Sequence, residues 1–466
     1  MTSLNGMLGI GERALTTHMM SISVAGNNIA NAATPGYCRQ TLGLRPVLGG
    51  ESTQGIVFGQ GVNAGALSRA FDGFTYSNIL KEQSWSGYYG TQSVELQGLN
   101  AIVNEGSTGG LNEAIGSFFS CFAALGSSPD SSAEREVTLD KGAALVSRFN
   151  MLSDEFKRSR LSLDGRVGEA VDNINNLVKE IAGLNLKITS AESGDNIAGN
   201  LRDQRDVLLQ ELADEVDITL HEDENGMVSV SIADRELIQG GVFHELVARA
   251  DSENEELLAV GIKSGNVTHD ITRRISGGSL GGALTMRDST VVEYQDDLDA
   301  LTFSLITTFN AQHRAGYGLD GTGGRDFFAP VTGISGAAGS LALSSDVEGN
   351  VEAIAASATA DGVPGDGDNA ILLYQLSEQK LLEGGRTFSG GAIALAGRIG
   401  SDTQFVESEI ELHEQFMLGL QEIQQSVSGV SIDEESANLL MYQTAYEAAA
   451  RYMGVIQELM DTLLRL

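Results

Sequence analysis

Positive charge is scarce in this chain of 466 residues: 29 Lys and Arg stand against 63 Asp and Glu, a net charge of −34. No basic stripe is present to displace counterions, which excludes a nucleic-acid backbone as partner and disfavours an anionic membrane surface. The two cysteines, Cys38 and Cys121, make neither a disulfide framework nor a zinc site and read as free, buried thiols. No run of about 18 apolar residues exists, so no membrane-spanning helix is expected. The opening stretch MTSLNGMLGIGERAL has no basic region followed by an apolar one and is not a cleavable secretory signal. The six histidines are scattered without metal-ligand spacing, and nothing points to a metal or a cofactor. What is present is 42% hydrophobic residues and 57 glycines without a collagen period, enough apolar side chain to build cores. Length alone suggests about three domains.

Charge is unevenly spread. Residues 1–45 hold Arg13, Arg39 and Arg45 against Glu12, a net of +2, and residues 429–466 hold six acids and two Arg, a net of −4. The remainder therefore carries −34 − 2 + 4 = −32, which keeps copies apart and soluble.

Periodicity points to helices at both ends. Leu439, Tyr442, Tyr446, Ala449, Met453, Ile456, Met460 and Leu463 alternate three and four apart, a heptad seam, with Ser431 or Asp433 as N-cap. Leu8, Leu15, Ile22 and Ile29 recur every seven residues before Pro35. A third seam from Leu145 to Ile188, interrupted near Ser159 and Arg160, predicts one helix of about 55–60 residues, about 85 Å long. Another helix is expected at 198–213. The period shortens to two over 216–275, around a turn at Asp223–Gly226, and a small β domain is expected there. Helices return at 283–313, 370–382 and 391–427, separated by a Gly/Ala-rich irregular stretch at 316–369. The expected fold is α+β: an elongated multi-domain rod whose helical bundle is built from both chain ends. Residues 1–45 and 429–466 form a terminal coiled-coil assembly domain, 46–213 and 276–428 a helical rod, and 214–275 an inserted β domain.

Three patterns imitate chemistry. Gly277-Gly278-Ser279-Leu280-Gly281 matches G-x-S-x-G, with Asp296 and His313 or His413 downstream; a serine hydrolase using Ser279 needs a strand–turn–helix elbow over a parallel sheet, and no βαβ series precedes it. The Gly59–Gly65 loop after Ile56-Val57-Phe58 misses the dinucleotide spacing by one residue, and Glu82 falls in a helix. Asp366-Gly-Asp368-Asn369 begins like a calcium loop but has Ile371 and Ser377 where glycine and glutamate belong. His18 falls on the first helix's apolar stripe, and Trp85 with Tyr88 and Tyr89 reads as core.

One segment carries a resemblance. Asn27-Asn28-Ile29-Ala30-Asn31-Ala32-Ala33-Thr34-Pro35-Gly36-Tyr37-Cys38-Arg39-Gln40 closes the first helix, since Pro-Gly cannot continue it. It resembles the N-terminal signature of the flagellar rod, hook and hook-associated axial proteins. The stretches at 201–213, 277–288, 308–328 and 428–453 are similar to those of the hook-associated members at the hook–filament junction. Cys38 stands where that motif more often has Thr or a polar residue, and 329–369 is short where larger relatives carry a further outer domain. The resemblance implies a non-enzymatic structural subunit, exported without a cleaved signal and ending outside the cell. It would form a ring of identical copies with the hook protein and the third hook-associated protein as neighbours and a dedicated export chaperone. Hook protein or the third hook-associated protein is the alternative within the group. The assembly role it implies rests on Asn27, Asn28, Asn31, Thr34, Pro35, Gly36, Tyr37 and Arg39, and on the terminal seams, which lack partners before assembly.

Overall fold

The computed structural model describes residues 4–48, 52–53, 56–57, 59–103, 110–192 and 197–465. Residues 1–3 and Leu466 of the expected terminal domain, and Phe58 before the glycine loop, lie outside the described residues. The architecture is α+β, 64% helix and 13% strand, so helices carry the frame. In chain order, α1 (Leu4–Asn31) is followed by β1 (Gln40–Pro46), β2 (Ser52–Thr53), β3 (Ile56–Val57) and β4 (Val62–Arg69). Then come α2 (Gly73–Val103), α3 (Leu111–Ser127), α4 (Ser132–Ala191) and α5 (Gly199–Glu215). Strands β5 (Thr219–Glu222), β6 (Val228–Ile232), β7 (Arg235–Gln239) and β8 (Val242–Phe243) form an antiparallel meander; β9 (Glu245–Asp251), β10 (Leu257–Ser264) and β11 (Val267–Asp270) form a second. The chain returns through α6 (Gly278–Thr285), a π-helical turn at Met286–Thr290, α7 (Val291–Ala315), α8 (Asp368–Gln375), α9 (Phe388–Ser428) and α10 (Ile432–Leu464).

The accessible surface is 23400 Å² for a 49.1 kDa chain; a compact body of that mass exposes about 17,000 Å², so the molecule is drawn out. Helix α4 is the reason. It runs 60 residues without a break, about 90 Å at 1.5 Å per residue, and buries Leu145, Phe149, Leu152, Phe156, Leu163, Val167, Ile174 and Ile181 along one stripe. Where its apolar period lapses, Ser159 donates to Glu95 at 2.5 Å and Arg160 Nε to the Arg287 carbonyl at 3.1 Å. Polar cross-links thus carry the stripe across the gap. Alongside, α2 packs against α9, α1 against α10, and α5 and α6 against α2.

The two sheets hang on α4 by asparagines. Asn185 donates to the Val228 carbonyl at 2.8 Å and accepts from the Val228 N–H at 3.2 Å. Asn175 does the same to Leu246, at 2.9 and 2.8 Å. Arg287, fully buried, donates to Asp164 at 2.6 Å and to the Leu258 carbonyl at 2.8 Å, locking the second sheet to the rod.

The stretch at 316–366 has little regular structure but is packed. Phe327 and Phe328 join Phe118, Phe119, Phe122 and Phe309 in one aromatic cluster with ring centroids 5.0–6.0 Å apart. Its backbone polar groups, which must be satisfied once buried, are met by side chains. Asp299 accepts from Gly336 and Ala338, Arg135 donates to Val351 and Ile354, and Asn310 brackets Phe328. His313 lies on the Arg325 carbonyl through Nδ1 at 2.8 Å and accepts the Ala355 N–H at Nε2 at 3.0 Å, so it is neutral with its proton on Nδ1.

Burial pushes the His313 imidazole down to about 4 from its usual 6.5. A base held neutral in the fold but free to protonate in the unfolded chain leaves stability intact above pH 6.5 and erodes it as pH falls toward 4. The expected loss across that window is about 3 kcal/mol. Urea midpoints measured from pH 7 to pH 4 should show it, and His313→Gln should flatten this part of the profile.

Candidate assembly site

The first and last helices lie antiparallel. Gly11 sits against Met453, where an added Cβ would be 2.3 Å from Sδ; His18 stacks on Tyr442 with centroids 6.5 Å apart; Asn28 reaches Glu435 at 3.1 Å. The face α1 buries is Gly11, Thr17, Ser21, Ala25 and Asn28, small residues that let the two backbones approach. Leu8, Leu15, Ile22 and Ile29 fall one step around the helix and are only half-buried. On α10, Ile456 is buried; Leu439, Tyr442, Ala449, Met453 and Met460 are half-buried, while Tyr446 and Leu463 are exposed.

The motif that closes α1 forms a clasp. Gly36 adopts φ +75°, and a Cβ there would stand 2.6 Å from Val207, so the turn after Pro35 requires glycine twice over. Thr34 donates its hydroxyl and its N–H to Asn31, and Asn31 donates back to Asn27 at 2.9 Å. Tyr37 donates to Asn28 at 2.8 Å and accepts from Asn27 at 3.1 Å. Burial, aided by Asp203, pushes the Tyr37 phenol up to about 12, so it remains a donor. Asn28 brackets Gln40, donating to its carbonyl at 2.8 Å and accepting its N–H at 3.0 Å. It also donates to Glu435. Arg39 donates from Nε to Glu435 at 2.8 Å and pairs with Glu434 at 3.2 Å, while its N–H donates to the Ser428 carbonyl at 2.9 Å. The motif residues therefore share one turn, and four contacts of Asn28 and Arg39, with Glu435, Glu434 and the Ser428 carbonyl, tie the two chain ends together.

The rod half of the clasp was not singled out from the sequence as a site. Arg69, at the end of β4, pairs with Asp203 at 2.8 Å and with Asp206 of α5; Asp203 accepts the Cys38 N–H and Gln40 donates to Asn200 at 2.9 Å. The signal in the sequence is the spacing of Asp203 and Asp206, three apart and so on one face of the helix expected at 198–213. Burial pushes the Cys38 thiol up to about 11 despite the Arg69 guanidinium beside it, which leaves it an unreactive thiol at neutral pH. Ser431, capping α10 by accepting the Glu434 N–H at 3.4 Å, positions Glu435 in the first turn.

The chemical imitations take other places. Ser279 follows a 3₁₀ turn (Thr272–Arg274) rather than a strand and donates to Glu215 at 2.6 Å. His313, near the end of α7, reaches into the irregular stretch, and His413 lies 2.6 Å from Glu82, stacked on both Trp85 and Tyr89. The Gly59–Gly65 loop leads into the hairpin of β1 with β4. Asp366 accepts from Ser357, Ala358 and Asp368 and organises a turn. Among the described residues no group of His, Cys, Asp and Glu is arranged to hold a metal, and no helix is long and apolar enough to cross a membrane.

Removing the carboxylate at the centre of the clasp strands Asn28 and Arg39. Glu435→Ala is expected to cost about 1–3 kcal/mol in the docking of the terminal pair. Hydrogen exchange should rise in α1 and α10 while protection in α4 stays unchanged.

The comparisons with known proteins agree along the whole chain. The family described as "Flagellar hook-associated protein FlgK helical domain" matches residues 96–328, and "Flagellar basal body rod FlgEFG protein C-terminal" matches residues 424–466. Flagellar hook-associated protein 1 of Bacillus subtilis (strain 168) is 28% identical over 502 residues, covering 100% of this chain and 98% of that protein. Flagellar hook-associated protein 1 of Escherichia coli (strain K12) is 24% identical over 551 residues, covering 99% and 100%. The structure of the flagellar hook junction protein FlgK from Burkholderia pseudomallei superposes with a TM-score of 0.67 at 17% identity, over 76% of this chain and 100% of that one, a likeness of fold. This chain belongs to the FlgK family of flagellar hook-associated proteins, structural components of the flagellum.

Proposed function

We propose that this chain is a structural subunit of the junction between flagellar hook and filament. It self-assembles as a ring at the distal end of the hook through its N- and C-terminal helices. Its neighbours are further copies of itself, the hook protein and the third hook-associated protein. It reaches that place outside the cell by the flagellar export route, without a cleaved signal and with an export chaperone. One observation carries the reading. Although α10 is paired with α1, it keeps a second apolar face open: Leu440, Met441, Val455, Leu459 and Leu463 are 49–63% exposed. Apolar side chains aligned on one helix face mark an interaction surface rather than a solvated one. Burial between copies supplies the driving force, and the acidic remainder keeps unassembled copies apart.

Neighbouring residues separate the two faces. Val455 is 55% exposed and Ile456 2%. Val455→Asp should leave the monomer's helix content and melting unchanged yet abolish co-sedimentation with isolated hooks. Ile456→Asp should open the α1–α10 pair within the monomer as well, visible as faster proteolysis near residue 430. A chain lacking residues 1–45 should fail to co-sediment. Co-sedimentation of Val455→Asp at the level of the unaltered chain would remove the proposed role of this face.

A further inference from the structure

Two apolar stripes remain unfilled besides that of α10. On α9, Phe405, Leu412, Phe416, Ile423 and Val427 are 43–57% exposed. Their spacing of seven and four keeps them on one line of a helix whose α2-facing side is a different one, with His413 against Trp85 and Glu82. On α1, the half-buried Leu8, Leu15, Ile22 and Ile29 are joined by Met19, 53% exposed, at heptad-compatible spacing. This stripe flanks the α10 contact on the side away from the hairpin, which reaches α1 through Ile10 against Gly61 and Thr17 on the Val62 carbonyl.

The two stripes match in length, and the neutral one does not repel the acidic one. Residues 8–29 and 405–427 span about 32 and 33 Å as helix. Residues 401–428 hold six acids and no Lys or Arg, and α10 holds six acids against Arg451, whereas α1 balances Glu12 with Arg13 and is the one of the three helices without a net negative charge. Two copies of the α9 face would repel, and a copy's own α1 is committed to α10. We propose that the α1 stripe of one copy docks along the α9 stripe of the next, resting on the assembly reading above. The contact is heterologous, one surface meeting a different one, and such contacts propagate into rings or helices rather than stopping at a dimer. α10, with its own open apolar face, begins four residues beyond the end of α9.

The test uses full-length chains carrying Met19→Cys and Phe416→Cys, assembled on isolated hooks and then oxidised; Cys38 and Cys121 are buried, and each single variant gives the background. The double variant should form a ladder of cross-linked copies. An equimolar mixture of the two single variants should stop at dimers. Both yields should exceed the single-variant background by at least ten-fold. Co-sedimentation without these cross-links, or cross-linking of Phe416→Cys to itself, overturns the α1–α9 contact and leaves the assembly reading standing. Preferential cross-linking of Met19→Cys to Val455→Cys overturns it too, because α10 would then be the occupant. Failure to co-sediment removes both.

Discussion

A helix can hold an extended segment only if something answers the peptide groups of that segment. Here an asparagine amide does so four times, three of them buried and Asn175 half-buried. Asn28 brackets Gln40, Asn175 brackets Leu246, Asn185 brackets Val228 and Asn310 brackets Phe328, each donating to the carbonyl and accepting the N–H of the same residue. The side-chain amide stands in for a neighbouring strand. It satisfies both groups at once, which matters because each orphaned buried group costs about 1–3 kcal/mol. The device recurs at the turn after α1, at the two meanders between β5 and β11 and at the irregular stretch. The terminal clasp is one instance of a joint used along the whole rod, with Glu435 added so that the other end of the chain shares it.

Much of the frame was legible because long helices advertise themselves. The α4 seam from Leu145 to Ile188 and the α10 seam from Leu439 to Leu463 are apolar and periodic, and the change of period after Val216 marks the sheets. The stretch after Gly316 was legible only as irregular, since period analysis is blind to a segment whose order comes from Asn310, His313, Asp299 and Arg135 reaching in from elsewhere. Likewise the break at Ser159 and Arg160 looked like a lapse because polar cross-links leave no hydrophobic trace.

The candidate site was legible from one side. Asn28 to Arg39 could be named because they are contiguous and shared with a family, but their partners Arg69, Asp203, Asp206 and Glu435 are remote in sequence and carry ordinary surface chemistry. The terminal seams show a subtler limit. A heptad of Leu8, Leu15, Ile22 and Ile29 predicts a helical partner without saying which one, and α10 of the same copy meets the small residues beside it instead. Gly11, Ser21 and Ala25 give no hydrophobic signal, yet they set how near the two helices come.

The bond between Asn28 and Glu435 closes 407 residues of chain. Contacts of such separation are the slowest to find and the last to form, so the rod can be complete while the clasp is still open. A chain made from its N-terminus presents α1 long before α10 exists. A copy interrupted between α9 and α10 has the residues of its sheets, its aromatic cluster and its long helix but not those that join its ends. Because the signature turn is completed by residues from the far terminus, the molecule contains a check on its own integrity: only a full-length copy can present the surface by which it would be built in.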